Sequence, residues 1–342
     1  MYKSVISILV LMSFASCAMD HEIVSKEQER KIITLTSVTK ATEGETTTSP
    51  YNSGDVWLWA ETSKDTEYIK AWKLSSDSNG NLTSTSDEKY WPSDGSSLTF
   101  YALHGNFKNT TEISENSTSW ADLSLTHTVE TDQSTDAAKL TYDLLYAKTG
   151  SVASNTTPAK LTFEHLLAKI TVKLDLTKSQ GITAEELADA TVTLTNIQPE
   201  ATFTSSTEAA ASVGGDRKTI TAGEPTTVSE GGEIGSAIVP LQSFGNNDNS
   251  NIIQIALSDG RIFSYTPPAT TLEKSMEYTY TLKIINGVLS VSSITVTEFN
   301  DISVFKSWDI YLGELSVSDI MVNGLDQTTA DKSWDIYVES SE

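Results

Sequence analysis

The 342-residue chain contains a single cysteine, Cys17, so no intramolecular disulfide can brace the fold and its stability has to come from burial. Basic residues are scarce as well: 23 Lys and Arg stand against 46 Asp and Glu, a formal net charge of −23. Such a surface repels phosphate groups, which argues against nucleic acid and anionic lipid heads and leaves proteins, sugars or cations as partners. No apolar run of about 18 residues or more follows Cys17, so no membrane-crossing helix is expected there. Motifs of common catalytic chemistry are missing: there is no GxSxG, no Walker loop, no GxGxxG, no HExxH and no CxxC. His21-Glu22 opens like a zinc-protease helix but has no histidine at position 25, and the four histidines (His21, His104, His127, His165) are scattered along the chain. The reading is therefore a protein with no catalytic activity, no cofactor and no metal.

What the lone cysteine does have is a telling position. Lys3 gives a minimal positive start, Val5 to Phe14 form an apolar stretch, and Phe14-Ala15-Ser16-Cys17 reads as a lipobox. Residues 1–17 are thus expected to be a lipoprotein signal peptide with a lipidated Cys17, which tethers the mature chain without spanning the membrane. Residues 18–30 are polar and carry Asp20, Glu22, Glu27 and Glu29 without apolar periodicity, as a stalk would.

From Lys31 onward, short alternating runs rich in Val, Ile, Thr, Tyr and Trp are separated by clusters of Gly, Ser, Asn, Asp and Pro. Such runs cover 31–38, 55–61, 68–74, 97–103, 160–175, 191–197, 251–257, 278–285 and 289–297. One short helix is expected over Thr183–Ala190, where Thr183 and Glu186 have the spacing of a capping box. Strands without intervening helices predict an all-β chain of two antiparallel sandwiches, 31–178 and 179–342, with the boundary near 177–181.

The last fifty residues contain a tandem duplication. Gly287–Tyr311 and Gly313–Tyr337 align without a gap at an offset of 313 − 287 = 26, with 13 identities over 25 positions. The repeated unit is LSVSxIxV followed by KSWDIY, a pair of strands and a spare copy of it. The first copy is expected to complete the local domain and the second to extend into a neighbouring subunit, with Leu315, Val317, Ile320, Val322, Trp334 and Ile336 as its donor-strand residues.

Two constellations invite a binding role. Asp77, Asn79, Asn81 and Glu88 imitate the oxygen spacing of a calcium loop, but Leu82 occupies the glycine position and a solvated hairpin loop is the better reading. Trp57 and Trp59 alternate with Val56, Leu58 and Ala60, which puts both indoles on one strand face. That face either packs into a core or, in the alternative reading, forms a glycan-binding platform together with Tyr90, Trp91, Phe100 and Tyr101.

Several segments together resemble the fimbrillin-like family, the type V pilins of Bacteroidetes. They are the lipobox, IITLTSVTKATE (32–43), KYWPSDGSSLTFYALHG (89–105), LTFEHLLAKITVKL (161–174), GITAEELADATVTLTNI (181–197) and MEYTYTLKI (276–284). The resemblance implies two transthyretin-like sandwiches, export to the outer membrane as a surface-exposed lipoprotein, and assembly into fimbriae by strand exchange with other pilin subunits. It also admits a host or bacterial surface ligand. In that family a protease cuts the loop after the first strand, and the groove so opened takes a partner's C-terminal strand. The matching loop here carries Lys40 where arginine is usual, and Arg30 offers a second processing position.

Overall fold

The computed structural model describes residues 30–39, 49–50, 54–84, 86–107, 113–121, 123–154, 156–244 and 252–299. In chain order the first half comprises β1 (Leu35–Thr39), β2 (Ser49–Pro50), β3 (Asp55–Glu61), β4 (Ile69–Ser76), β5 (Asn81–Ser84), β6 (Thr99–His104), β7 (Ser124–Thr128), helix α1 (Asp136–Thr141), β8 (Leu145–Lys148) and β9 (Ala159–His165). The second half comprises β10 (Ala168–Leu174), helix α2 (Ala184–Leu187), β11 (Thr191–Ile197), β12 (Glu200–Thr204), β13 (Ala209–Ser212), β14 (Lys218–Gly223), β15 (Glu233–Val239) and β16 (Ser243–Phe244). It continues through β17 (Ile253–Ala256), β18 (Ile262–Tyr265), β19 (Thr270–Thr271), β20 (Met276–Ile285) and β21 (Val288–Glu298). The all-β expectation holds.

Seven strands close on themselves in the order β1-β5-β4-β3-β6-β8-β9, and β1 completes the ring by pairing with β9 as well as β5. Alternation along these strands sends Ile33, Leu35, Val56, Leu58, Leu74, Phe100, Leu161 and Phe163 into one interior cluster. The opposite faces of β3, β6 and β8 carry Trp59, Tyr101, Leu103 and Tyr146 into a second cluster, shared with Leu125 of β7 and Phe203 of β12. Two four-stranded sheets, β15-β10-β20-β21 and β14-β11-β17-β18, contribute to that same second cluster through Ile170, Val172, Val192, Leu194, Ile255, Tyr280 and Leu282.

Several expected elements differ in detail. The run 160–175 is two strands, because Leu166 and Leu167 leave the ladder and are buried in the second cluster, where Leu166 N–H donates to Leu144 O at 2.9 Å. Partners change there: β9 belongs to the ring, whereas β10 pairs with β15 and, in parallel, with β20. The pairs β1–β9 and β10–β20 are parallel, a departure from the purely antiparallel expectation. Helix α2 bears the expected capping box, with Thr183 Oγ1 accepting from Glu186 N–H at 3.3 Å and Thr183 N–H donating to Glu186 at 2.8 Å. A second helix, α1, was not foreseen; Thr135 caps it by accepting from Ala138 N–H. Of the C-terminal duplication, only β21 lies among the described residues; KSWDIY and the whole second copy, with Leu315, Val317, Ile320, Val322, Trp334 and Ile336, lie outside them.

Candidate functional site

The strand that closes the ring is the candidate site. Along β1 and the two residues before it, the inward positions are Ile33, Leu35, Ser37 and Thr39, all buried, while Thr34, Thr36 and Val38 alternate outward. Two of the four inward side chains are hydroxyls, and Ser37 satisfies its own by donating to Gly80 O at 2.9 Å while its N–H donates to the same oxygen at 2.7 Å. On the other edge, Ala159 N–H donates to Thr34 O at 2.9 Å and the parallel ladder runs from Leu35↔Ala159 to Thr39↔Phe163. The approach to β1 is fixed too, since Ile33 N–H donates to Lys89 O and Lys31 O accepts from Trp91 N–H. Removing β1 would uncover backbone groups of β5 and β9 together with the apolar interior behind Ile33 and Leu35, a slot suited to another extended strand.

Two basic residues, Arg30 and Lys40, lie near the ends of β1. Lys40 immediately follows β1 and is the only Lys or Arg between Lys31 and Lys64; its side chain lies outside the described residues. Arg30 is exposed but precedes β1, so a cut there leaves Leu35–Thr39 attached to everything that follows. Cys17 also lies outside the described residues. No helix among the described residues is long and apolar enough to cross a membrane.

The tryptophans on β3 do share a face, as their spacing requires, but that face is covered. Trp59 is 1% exposed, packs against Trp120 with ring centroids 5.2 Å apart, and donates its indole N–H to Thr118 O at 2.8 Å. Tyr101 and Tyr146 stack on the same Trp120 ring. Trp57 is half-buried, with Lys73 5.9 Å above its ring. Trp91, Phe100 and Tyr101 are buried, which leaves Tyr90 and Trp57 without the flat aromatic neighbours a sugar platform needs. The platform reading fails on burial: an indole inside the core cannot stack a sugar ring. The Asp77 loop closes on itself, Asp77 accepting from the N–H groups of Asn79 and Asn81 and from the Asn81 amide, so the β4–β5 turn is held by its own side chains.

Histidines far apart in sequence interact: His165 and His127 both with Asp143, and His104 with His127. His165 Nδ1 lies 2.5 Å from Asp143, both being buried, and its ring stacks on Phe299 at 3.9 Å. His127 Nδ1 accepts from Asn106 N–H at 3.0 Å, and burial pushes its pKa down to about 4, opposed by Asp143 and reinforced by His104. Among the described residues no three or more His, Cys, Asp or Glu side chains are arranged to hold a metal ion. Sequence reading saw these histidines as scattered because their gathering depends on which strands pair.

A sequence profile described as fimbrillin-like matches residues 39–298. No curated protein sequence matches the chain. Among solved structures, the fold is similar to that of a candidate cell adhesion protein from Bacteroides uniformis, at 19% identity and a TM-score of 0.58, over 80% of this chain and 99% of that one. A candidate cell adhesion protein from Bacteroides ovatus is similar at 16% identity and a TM-score of 0.58, over 79% of this chain and 98% of that one. At such identities the likeness is one of fold.

Proposed function

The chain belongs to the fimbrillin-like family, and from that membership we propose that it is a non-catalytic structural or adhesive subunit of a surface fimbrium, joined to its neighbours by strand exchange. The observation that carries this reading is the placement of β1. It is the strand that closes the ring, it is bonded on both edges, and the connection after it contains a single basic residue, Lys40. A cut after Lys40 separates β1 from the body while Arg30 cannot play that role, so Lys40 is the processing position we favour. The vacated slot would then take an extended strand from another subunit, and the second C-terminal copy, with Leu315, Val317, Ile320 and Val322, supplies one. Lipidation at Cys17 and attachment to the outer membrane complete the proposal. We place no enzyme chemistry in it.

The test uses the full chain and a lysine-specific protease. A nick after Lys40 should release the β1 peptide slowly and yield fibres or chains of subunits in negative-stain images, whereas the variant Lys40→Gln should stay monomeric under the same treatment. Nicked protein that loses β1 yet remains monomeric at high concentration would refute strand exchange.

A further inference from the structure

We propose that the cavity beside Gln198 and Arg217 binds an acidic sugar, a uronic or sialic acid, through its carboxylate and its hydroxyls. The cavity measures about 500 Å³, within the range of small-ligand sites and roomy enough for a sugar ring. Four stretches of chain build it: Gln198 between β11 and β12, residues 212–215 and 217 where β13 connects to β14, residues 241–243 between β15 and β16, and residues 271–272 at β19. The frame is held from within. Gln242 is buried and uses both ends of its amide: Oε1 accepts from Gln198 N–H at 3.0 Å, and Nε2 donates to Gln198 O at 3.4 Å and to Pro240 O at 3.0 Å. Leu272 N–H donates to Gln242 O at 2.9 Å, and the cross-strand pair Ser243 and Thr271 has its hydroxyls 2.9 Å apart.

Two groups on this frame lack the partners their chemistry calls for. Gln198 is 6% exposed, yet its side-chain amide makes no hydrogen bond among the described residues. That amide faces the cavity, where a Cβ built on Gly215 would lie 3.5 Å from its Nε2. A buried amide with no protein partner is costly unless water or a ligand meets it. Arg217, the one cation in the lining, has no carboxylate partner among the described residues, whereas Arg261 is held by both Glu186 and Asp259. One amino group of Arg217 donates to Asn196 O at 2.8 Å and lies 3.5 Å from Gln242 Oε1, which holds the guanidinium beside the cavity. Its Nε and other amino group make no bond among the described residues. In a chain with twice as many acids as bases, a guanidinium that no acid has claimed suits an incoming carboxylate, which it can meet with two parallel hydrogen bonds.

The rest of the lining sets the class of ligand. The Gln198 amide both donates and accepts, and the hydroxyls of Ser212, Ser243 and Thr271 do the same, which matches neighbouring sugar hydroxyls. Leu241 and Leu272 add a small apolar surface for ring C–H groups. Among the described residues no aromatic ring lines the cavity, so binding rests on hydrogen bonds and one ion pair. Phosphate is disfavoured, because a single guanidinium balances one negative charge in a protein whose field repels a second. A peptide terminus would ask for an apolar pocket for its last side chain, which a wall of amide, hydroxyl and glycine does not offer. None of these residues belongs to β1 or to the strands that pair with it, so the assignment does not rest on strand exchange.

Chemical-shift titration of the full chain tests it, with sodium glucuronate and N-acetylneuraminate as probes. At least one of them should bind with a Kd on the order of 1 mM, as a polar ligand of this size can, and shift the Gln198 side-chain amide. Glucuronamide, which lacks only the charge, and glucose, acetate, inorganic phosphate and triglycine should each bind at least about tenfold more weakly. Arg217→Gln should weaken the acidic sugar by at least about tenfold, with the urea midpoint reporting that the variant is folded. The glucuronamide comparison needs no variant and keeps the test decisive if Arg217→Gln misfolds. No saturable shift with either acidic sugar at about 20 mM would overturn the proposal, as would equal binding of glucuronamide or equal binding by folded Arg217→Gln. Acetate, phosphate or triglycine bound as tightly as the acidic sugars would make this a general anion or peptide-terminus site and overturn it equally.

Discussion

His127 shows what burial does to one residue. Its ring is fully enclosed, holds a neutral tautomer by accepting from Asn106, and stands edge-on to Phe107. A base whose folded pKa is about 4 against an ordinary 6.5 binds its proton more readily when unfolded. Stability from this group is therefore full above pH 6.5 and falls as pH drops toward 4, by on the order of 3 kcal/mol in all. Urea unfolding at pH 7.5 and 4.5 should show most of that loss, and His127→Gln should flatten the slope. A slope unchanged in the variant would assign it elsewhere. Trp59 teaches the same lesson in apolar terms: spacing placed it on a face with Trp57, but whether that face meets solvent or Trp120 was decided by segments sixty residues away.

At the scale of elements, the two four-stranded sheets meet where side chains vanish. A Cβ built on Gly223 of β14 would lie 2.4 Å from Ile234 O and 2.7 Å from Gly235 Cα of β15, both backbone atoms that cannot swing aside. Gly223→Ala should therefore cost about 3 kcal/mol, the upper end for overpacking, seen as a lower urea midpoint; a shift near zero would mean the sheets separate easily. Strands rich in β-branched and aromatic residues between turn signals, such as 55–61 and 191–197, were legible from sequence to the residue. Strands without that signature were not: Ala209–Ser212 has no apolar side chain larger than alanine, and Glu233–Val239 is buried on both faces and so has no period to read. Helix α2 was legible because its capping box is local, whereas the six-residue α1 has too few turns to show a stripe.

For the whole molecule, charge sets the terms of association. Subunits with a net charge of −23 repel one another over a Debye length of about 30 Å at 10 mM salt and about 8 Å at physiological ionic strength. Joining by backbone pairing and apolar burial, rather than by opposite charges, should then speed up as salt is added. We expect light scattering to show nicked protein assembling at least about tenfold faster at 150 mM NaCl than at 10 mM. Slower assembly at higher salt would point to complementary charged patches instead.

The sequence by itself determined the all-β class, the tandem repeat, the acidic surface, the capped α2 and the single basic residue after β1, because each is written in local pattern or in composition. Tertiary structure alone decided that β1 closes a ring by running parallel to β9, that Trp59 is core, that His127 and His165 both interact with Asp143 and that β21 is left with an apolar edge. Those outcomes depend on which distant strands pair, and a two-residue period is the same whichever neighbour a strand takes.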